Sequence, residues 1–172
     1  MNVKIKGLHF MIEIKQLPPE RWQDYQKLRL EALKADPIAF GSSYEEEISR
    51  PEEFWRNRIG NMFFAVENNR PVGMVRYAFE TRVKNKHVAG IYAMYVDKEF
   101  RNQGIGKRLM EGVISLIAEN KDIHKIRLSV TPEQIYAVKL YEHYGFKSVG
   151  LFINELCVDG RYYGEVPMEK FI

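Results

Sequence analysis

The chain holds a single cysteine, Cys157, among 172 residues, which excludes an internal disulfide framework and a multi-cysteine metal site and is compatible with a reducing compartment. Long apolar runs are missing too. Stretches such as Val113 to Ala118, broken by Ser115, are far shorter than the ~20 residues that cross a bilayer, so neither a membrane span nor a membrane partner is expected. Charge of one sign is not concentrated anywhere. The net charge is +3 and the basic and acidic residues are interleaved, so a dedicated nucleic-acid surface is not indicated. His124 and His143 are not spaced as a metal pair, and no metal is expected. Met1 to Gly7 is basic but lacks the apolar centre of a signal peptide, and the expectation is a soluble, cytoplasmic protein. Met11 opens the first strand-like segment, which leaves Met1 to Phe10 as a candidate N-terminal extension and the natural start, Met1 or Met11, open.

What is present is enough apolar residue for a sizeable core: 45% hydrophobic and 28% charged residues fit one domain over residues 1–172. Met11 to Leu17 alternates apolar and polar residues as a strand does, and Pro18-Pro19 stops it and opens a helix through Ala35. Trp22, Tyr25, Leu28, Ala32 and Leu33 form the apolar stripe of that helix. Asp36-Pro37 ends it. A second helical region starts near Tyr44, with Ser43 as N-cap and Glu45, Glu46 and Glu47 in a first turn that favours acids. Met62 to Glu67, Asn68-Asn69-Arg70 and Pro71 to Glu80 read as a hairpin, and His87 to Val96 as the next strand. Ile105, Leu109, Val113, Leu116 and Ile117 recur at helical spacing. Lys125 to Val130 is a strand, Pro132 to Tyr144 a helix, and the tail from Phe146 two strands joined near Asp159-Gly160. The order is strand, two helices, three strands, helix, strand, helix, two strands.

Between the strand ending at Val96 and the helix from Ile105 lies a polar loop, Asp97 to Gly104, with Gly106 just beyond it. Such a junction gathers unpaired backbone N–H groups and the positive end of a helix dipole, which suits a phosphate. Two familiar nucleotide patterns fail: a dinucleotide fingerprint needs a third glycine where Leu109 stands, and a Walker loop needs Ser or Thr where Arg108 stands. What remains is Arg101-x-x-Gly104-x-Gly106. A second segment, Leu128 to Phe146, carries Val130, Ala137, Leu140, Tyr141, Gly145 and Phe146 at fixed offsets. Within it, Thr131 with Gln134 reads as a capping box, and Gly145 suits the left-handed residue past a helix, with Phe146 packing on Tyr141 in a Schellman motif. On that reading Tyr141 is only core.

Together these segments resemble the GCN5-related N-acetyltransferase (GNAT) superfamily. The loop is similar to its Gln/Arg-x-x-Gly-x-Gly/Ala pyrophosphate loop, and the second segment to its Asn-x-x-Ala, Leu-Tyr and Gly-Phe signature, with Gln134 in place of the usual Asn. The resemblance spans Met11 to Ile172. It implies an α/β fold of the mixed α+β kind: a twisted, mostly antiparallel sheet of six to seven strands with about four helices, two strands splaying to form a CoA cleft. It implies transfer of an acetyl group from acetyl-CoA to a primary amine by direct attack. Backbone groups of Met94, Tyr95 and Val96 would pair with the pantetheine arm. N–H groups of Asn102, Gln103, Gly104, Ile105, Gly106 and Lys107 would cradle the pyrophosphate, with Arg101 and Lys107 adding charge and Gln134 contacting the cofactor arm. Tyr141 would be the general acid beside the sulfur.

No strand carboxylate offers itself as general base. Tyr92 is the candidate for holding a water or the substrate, with Glu80, His87 and Glu45 to Glu47 behind it. Cys157 reads as a small buried hydrophobe in a strand. The acceptor side implied by the resemblance, Arg29 to Arg58 and Phe152 to Tyr163, brings Phe40, Tyr44, Phe54, Trp55, Phe152, Tyr162 and Tyr163 together with Glu45, Glu46, Glu47 and Glu155. Such an acidic, aromatic rim would favour a cationic amine. The expected partners are acetyl-CoA and an amine, and a homodimer is compatible with the sequence. The rival reading is a catalytically weak acyl-CoA-binding regulatory or interaction module, suggested by Gln134 and the missing strand carboxylate.

Overall fold

A computed structural model describes residues 12–172; the candidate extension Met1 to Phe10 and the expected strand start at Met11 lie outside the described residues. The chain runs β1 (Glu13–Lys15), α1 (Trp22–Ala35), α2 (Tyr44–Ile48), α3 (Glu52–Ile59), β2 (Met62–Glu67), β3 (Arg70–Phe79), β4 (Val88–Val96), α4 (Ile105–Glu119), β5 (Lys125–Val130), α5 (Ile135–His143), β6 (Lys147–Ser148), β7 (Phe152–Val158) and β8 (Arg161–Phe171). The sheet order is β1-β2-β3-β4-β5-β8-β6, with β7 paired to β8. β4 and β5 are parallel and the other pairs antiparallel. This is the mostly antiparallel mixed sheet that the sequence leads one to expect, with one more strand and one more helix among the described residues. The extra strand is the two-residue β6. The extra helix arises because Pro51, which has no N–H to donate, divides the second helical region and becomes the N-cap of α3.

Local chemistry fixes the ends of the elements. Ser43 accepts from the Glu46 N–H at 3.2 Å and the Glu46 carboxylate accepts from the Ser43 N–H at 2.8 Å, a complete capping box. Gly145, at φ +84°, ends α5: its N–H reaches Glu142 O at 2.9 Å and the Phe146 N–H reaches Tyr141 O at 3.1 Å. The Tyr141 and Phe146 rings meet edge to face at 6.2 Å, so the Schellman motif forms as expected. The capping box expected of Thr131 and Gln134 does not. Thr131 donates its hydroxyl to Ile38 O at 3.1 Å instead, and α5 starts at Ile135 rather than Pro132.

Two cores sandwich the sheet. On one side Leu109, Val113 and Ile117 of α4 pack with Val75, Ile126 and Phe146. On the other, Tyr25 and Leu28 of α1 and Trp55 and Ile59 of α3 cover Phe64, Met74 and Tyr95. Tyr25 stands edge-on to Trp55 at 5.4 Å and to Phe64 at 6.0 Å. No helix among the described residues is long and apolar enough to cross a membrane.

Glu47 does more than sit in a first turn that favours acids. Its carboxylate is buried and accepts from Arg29 Nε at 3.0 Å and Nη2 at 2.8 Å, a two-pronged pair that ties α2 to α1. Burial alone would raise its pKa, but hydrogen bonds and charge from Arg29, helped by Ser42 and Arg58, hold it below the usual carboxylate range. A carboxyl lowered in the folded state adds stability that is present above the unfolded-chain value and is lost as pH falls through the folded one. Glu47→Gln is therefore expected to cost about 3 kcal/mol at neutral pH. In urea titrations the deficit should shrink below about pH 4, and an equal deficit at pH 3 and pH 7 would contradict the pairing.

Candidate active site

β4 and β5 pair only from Val88 to Gly90 against Lys125 to Arg127. Beyond that, β5 stays with β8 through Val130 and β4 stays with β3 through Val96, so the two strands part and leave their facing backbone edges free. A cleft of about 590 Å³ opens in the wedge. Its walls are Met94, Tyr95 and Val96 of β4, the loop residues Arg101, Asn102 and Gly104, Ile105 to Lys107 at the start of α4, and Gln134 to Ala137 with Leu140 on α5. The residues expected to hold a cofactor thus share one cavity, except Gln103, whose side-chain amide donates back to Glu99 O at 3.4 Å.

The loop owes its shape to two left-handed residues, Asn102 at φ +63° and Gly104 at φ +76°. Gly104 is the N-cap of α4 and accepts from the Arg108 N–H at 3.2 Å. The N–H groups of Ile105, Gly106 and Lys107 precede the first bond of that helix and have no carbonyl within it. A Cβ at Gly106 would sit 3.4 Å from both Leu140 and Met94, so a larger side chain there pushes on the cleft floor. Arg101 is already engaged: Nε donates to Val96 O at 2.9 Å, Nη2 pairs with Asp36, and the guanidinium lies 5.6 Å from the Tyr95 ring. It braces the loop against β4 and the turn after α1, and Lys107 is the more available cation.

Tyr141 follows the wall residue Leu140 in sequence but does not itself line the cleft: it is 6% exposed and lies in the core with Phe146. Burial pushes its phenol well above the ordinary value, so it stays protonated at neutral pH. Its neighbour Tyr144 joins α5 to α4, its one hydroxyl proton shared between Lys107 O at 3.0 Å and Glu111 Oε1 at 2.9 Å; burial and this carboxylate push its phenol up to about 12. Tyr92 is 41% exposed. Its ring lies over Gly90, where a Cβ would collide with it. A bulge follows: Arg76 pairs with Tyr92 but Met74 pairs with Tyr95, and Ala93 sits at φ +53°. The extra residue re-aims the backbone at the point where the cleft begins.

The family model for the acetyltransferase (GNAT) family matches residues 17–146. The chain belongs to the GNAT family. The chain is 24% identical over 146 residues to the L-amino acid N-acetyltransferase AaaT of Escherichia coli, covering 81% of this chain and 87% of that protein. It is 32% identical over 67 residues to the Bacillus subtilis subsp. natto protein named "Probable spermine N(1)-acetyltransferase", a match spanning 39% of this chain and only 41% of that relative. Among solved structures, YncA of Salmonella typhimurium, determined with its cofactor acetyl-CoA, superposes with a TM-score of 0.76 at 12% identity, covering 94% of each chain.

In this GNAT chain three of the weaker base candidates, Glu80, Glu46 and Glu47, already have structural partners. Glu80 pairs with Arg127, Glu46 caps α2 and Glu47 holds Arg29. Cys157 is exposed on β7, not buried as expected, because β7 pairs only with β8 and much of it faces solvent. Trp55 is fully buried and belongs to the core, not to an acceptor rim. A residue the sequence did not single out is Glu165 on β8. Val166 and Met168 pack into the α4 side of the sheet, so strand alternation turns Glu165 to the other face, one residue from Val166, which pairs with Val130 at the end of β5. Burial, with the Glu155 charge, raises its carboxyl above the usual range. Described residues include no cluster of three His, Cys, Asp or Glu placed to hold a metal. Gly106→Val is expected to weaken acetyl-CoA binding about tenfold by crowding Leu140 and Met94; calorimetric titration checks this, and an unaltered Kd would remove the phosphate from this loop.

Proposed function

We propose that the chain is an acetyl-CoA-dependent N-acetyltransferase acting on a primary amine. The observation that carries this reading is the wedge between β4 and β5, closed at its base by a helix start whose N–H groups are unpaired. N–H groups of Ile105, Gly106 and Lys107, with the Lys107 charge, bind the pyrophosphate. The free edge of β4 from Met94 to Val96 takes the pantetheine arm as an added strand, and Gln134 at the cleft wall offers an amide to it.

The amine nitrogen attacks the thioester carbonyl carbon directly, and the carbon–sulfur bond breaks as the tetrahedral intermediate collapses. A backbone N–H freed by the bulge near Met94 or Tyr95 stabilises the oxyanion, a contribution typically of about 3 kcal/mol. Tyr141, held protonated by burial, gives its proton to the departing thiolate, whose own pKa of about 8.5 makes it a fair leaving group. Glu165 takes the proton the nitrogen sheds, and its raised carboxyl suits that work better than an ordinary one. Tyr92, exposed at the mouth, orients the acceptor or a water. The named relatives act on polyamines or L-amino acids, which places both classes on the acceptor panel.

Release of free CoA from acetyl-CoA in the presence of an amine panel tests the activity; CoA binding with no release on any amine would favour a binding module. Tyr141→Phe is expected to lower kcat about 100-fold while the Kd for acetyl-CoA stays within about twofold. Unchanged turnover would remove the general acid. Because Glu165 must be ionised to accept a proton, activity should climb with pH through its raised pKa, and Glu165→Gln should abolish that limb of the kcat/KM profile. A profile of unchanged shape would assign the limb to another group.

A further inference from the structure

On the α1 side of the sheet three arginines converge that are far apart in sequence. Arg76 on β3 pairs in register with Tyr92 on β4, and its guanidinium lies 5.4 Å from the Tyr92 ring centre. Arg29 of α1 and Arg58 of α3 stand beyond it with Tyr25. Glu47 is the carboxylate set among them, and both its oxygens are taken by Arg29, with Arg58 at 3.7 Å. Arg76 has no carboxylate partner among the described residues, and the cluster carries an excess of positive charge.

Its hydrogen bonding is incomplete in one sense only. Tyr25 Oη, Arg29 Nη1 and Arg76 Nε are buried and have no partner among the described residues; Tyr25 is 0% and Arg29 5% exposed. Buried polar atoms are seldom left this way without a ligand or water. All three can donate, so what they lack is an acceptor. Burial, reinforced by the Arg58 charge, pulls the Arg76 guanidinium below its ordinary value, a direction that a bound anion would reverse. Planar guanidinium forks with a phenol match a carboxylate. Tyr92 and the side chain of Arg58, 32% exposed, open the cluster to solvent, and Tyr92 is two residues in sequence from the Met94 wall of the cleft.

We propose that this cluster anchors a carboxylate on the amine acceptor, so that the enzyme takes amino acids or short peptides bearing a free carboxylate near the amine, in preference to polyamines. The proposal rests on the transferase reading above. It reverses the cationic amine suggested by the acids of residues 45–47: Glu47 is neutralised by Arg29 and Glu46 is spent on the helix cap.

The test measures CoA release with L-amino acids, the matching amino acid amides and spermidine. Acids are expected to exceed amides and spermidine in kcat/KM by at least about tenfold. Arg76→Met should raise KM for the acids about tenfold and leave the amides unchanged; it removes a buried charge without a carboxylate partner, so folding should survive, with Arg58→Gln as the second variant. Amides or spermidine used as well as acids, or an Arg76→Met loss equal for acids and amides, would overturn the proposal while leaving the transferase standing. Calorimetry with N-acetyl amino acids supplies a readout without turnover: binding that Arg76→Met weakens supports the carboxylate site even if no amine releases CoA, a result that would defeat the transferase reading alone. Absence of such binding in the parent protein overturns the carboxylate site.

Discussion

A parallel strand pair that lasts only from Val88 to Gly90 governs the architecture. β5 cannot follow β4 further because β8 holds it antiparallel through Val130, while β3 holds β4 through Val96. Each strand is satisfied along one edge and released along the other. Free main-chain groups in a protein interior are costly unless something pairs with them, so the wedge is stable only as a surface cleft. α4 and α5 border that cleft, and the bond of Tyr144 to Lys107 O and Glu111 pins the end of one to the start of the other. The glycine loop and the start of α4 open into this wedge; the same loop on a closed sheet would face only solvent.

The opposite face of the sheet obeys a different constraint. There the aromatic contacts of Tyr25 with Trp55 and Phe64 hold α1 and α3 against β2, and the Arg29 and Glu47 pair fastens α2 to them. That apolar packing shields Tyr25 and Arg29 from water and makes their unpaired donors matter. The two regions therefore differ in chemistry: main-chain N–H groups at the start of α4 border the cleft, and arginine side chains crowd the α1 face.

Much of the fold was legible where the physics is local. β2 and β5 lie where alternation and turn residues put them, from Met62 to Glu67 and from Lys125 to Val130. The capping box at Ser43 and the Schellman motif at Gly145 form between near neighbours in sequence, so spacing alone specifies them. The cap expected at Thr131 failed because a carbonyl distant in sequence, Ile38 O, competes for the hydroxyl. Arg101, expected to add charge beside a phosphate, lines the cleft and is also engaged by Asp36 and Val96 O, partners that no periodicity reveals. The bulge at Ala93 left no sequence signal, since a left-handed alanine carries neither the glycine nor the asparagine that marks such a residue.

By itself the sequence determined the alternation of strands and helices, the glycine-shaped helix start and the two motif segments that mark the GNAT family. These depend on backbone conformations that particular residues favour within a few positions of one another. Only the tertiary structure decided that β4 and β5 part after three residues, that Glu47 is buried and that Arg29, Arg58 and Arg76 meet. Those outcomes depend on which faces pack together, because a side chain's charge and hydrogen-bond balance is set by neighbours brought from other elements.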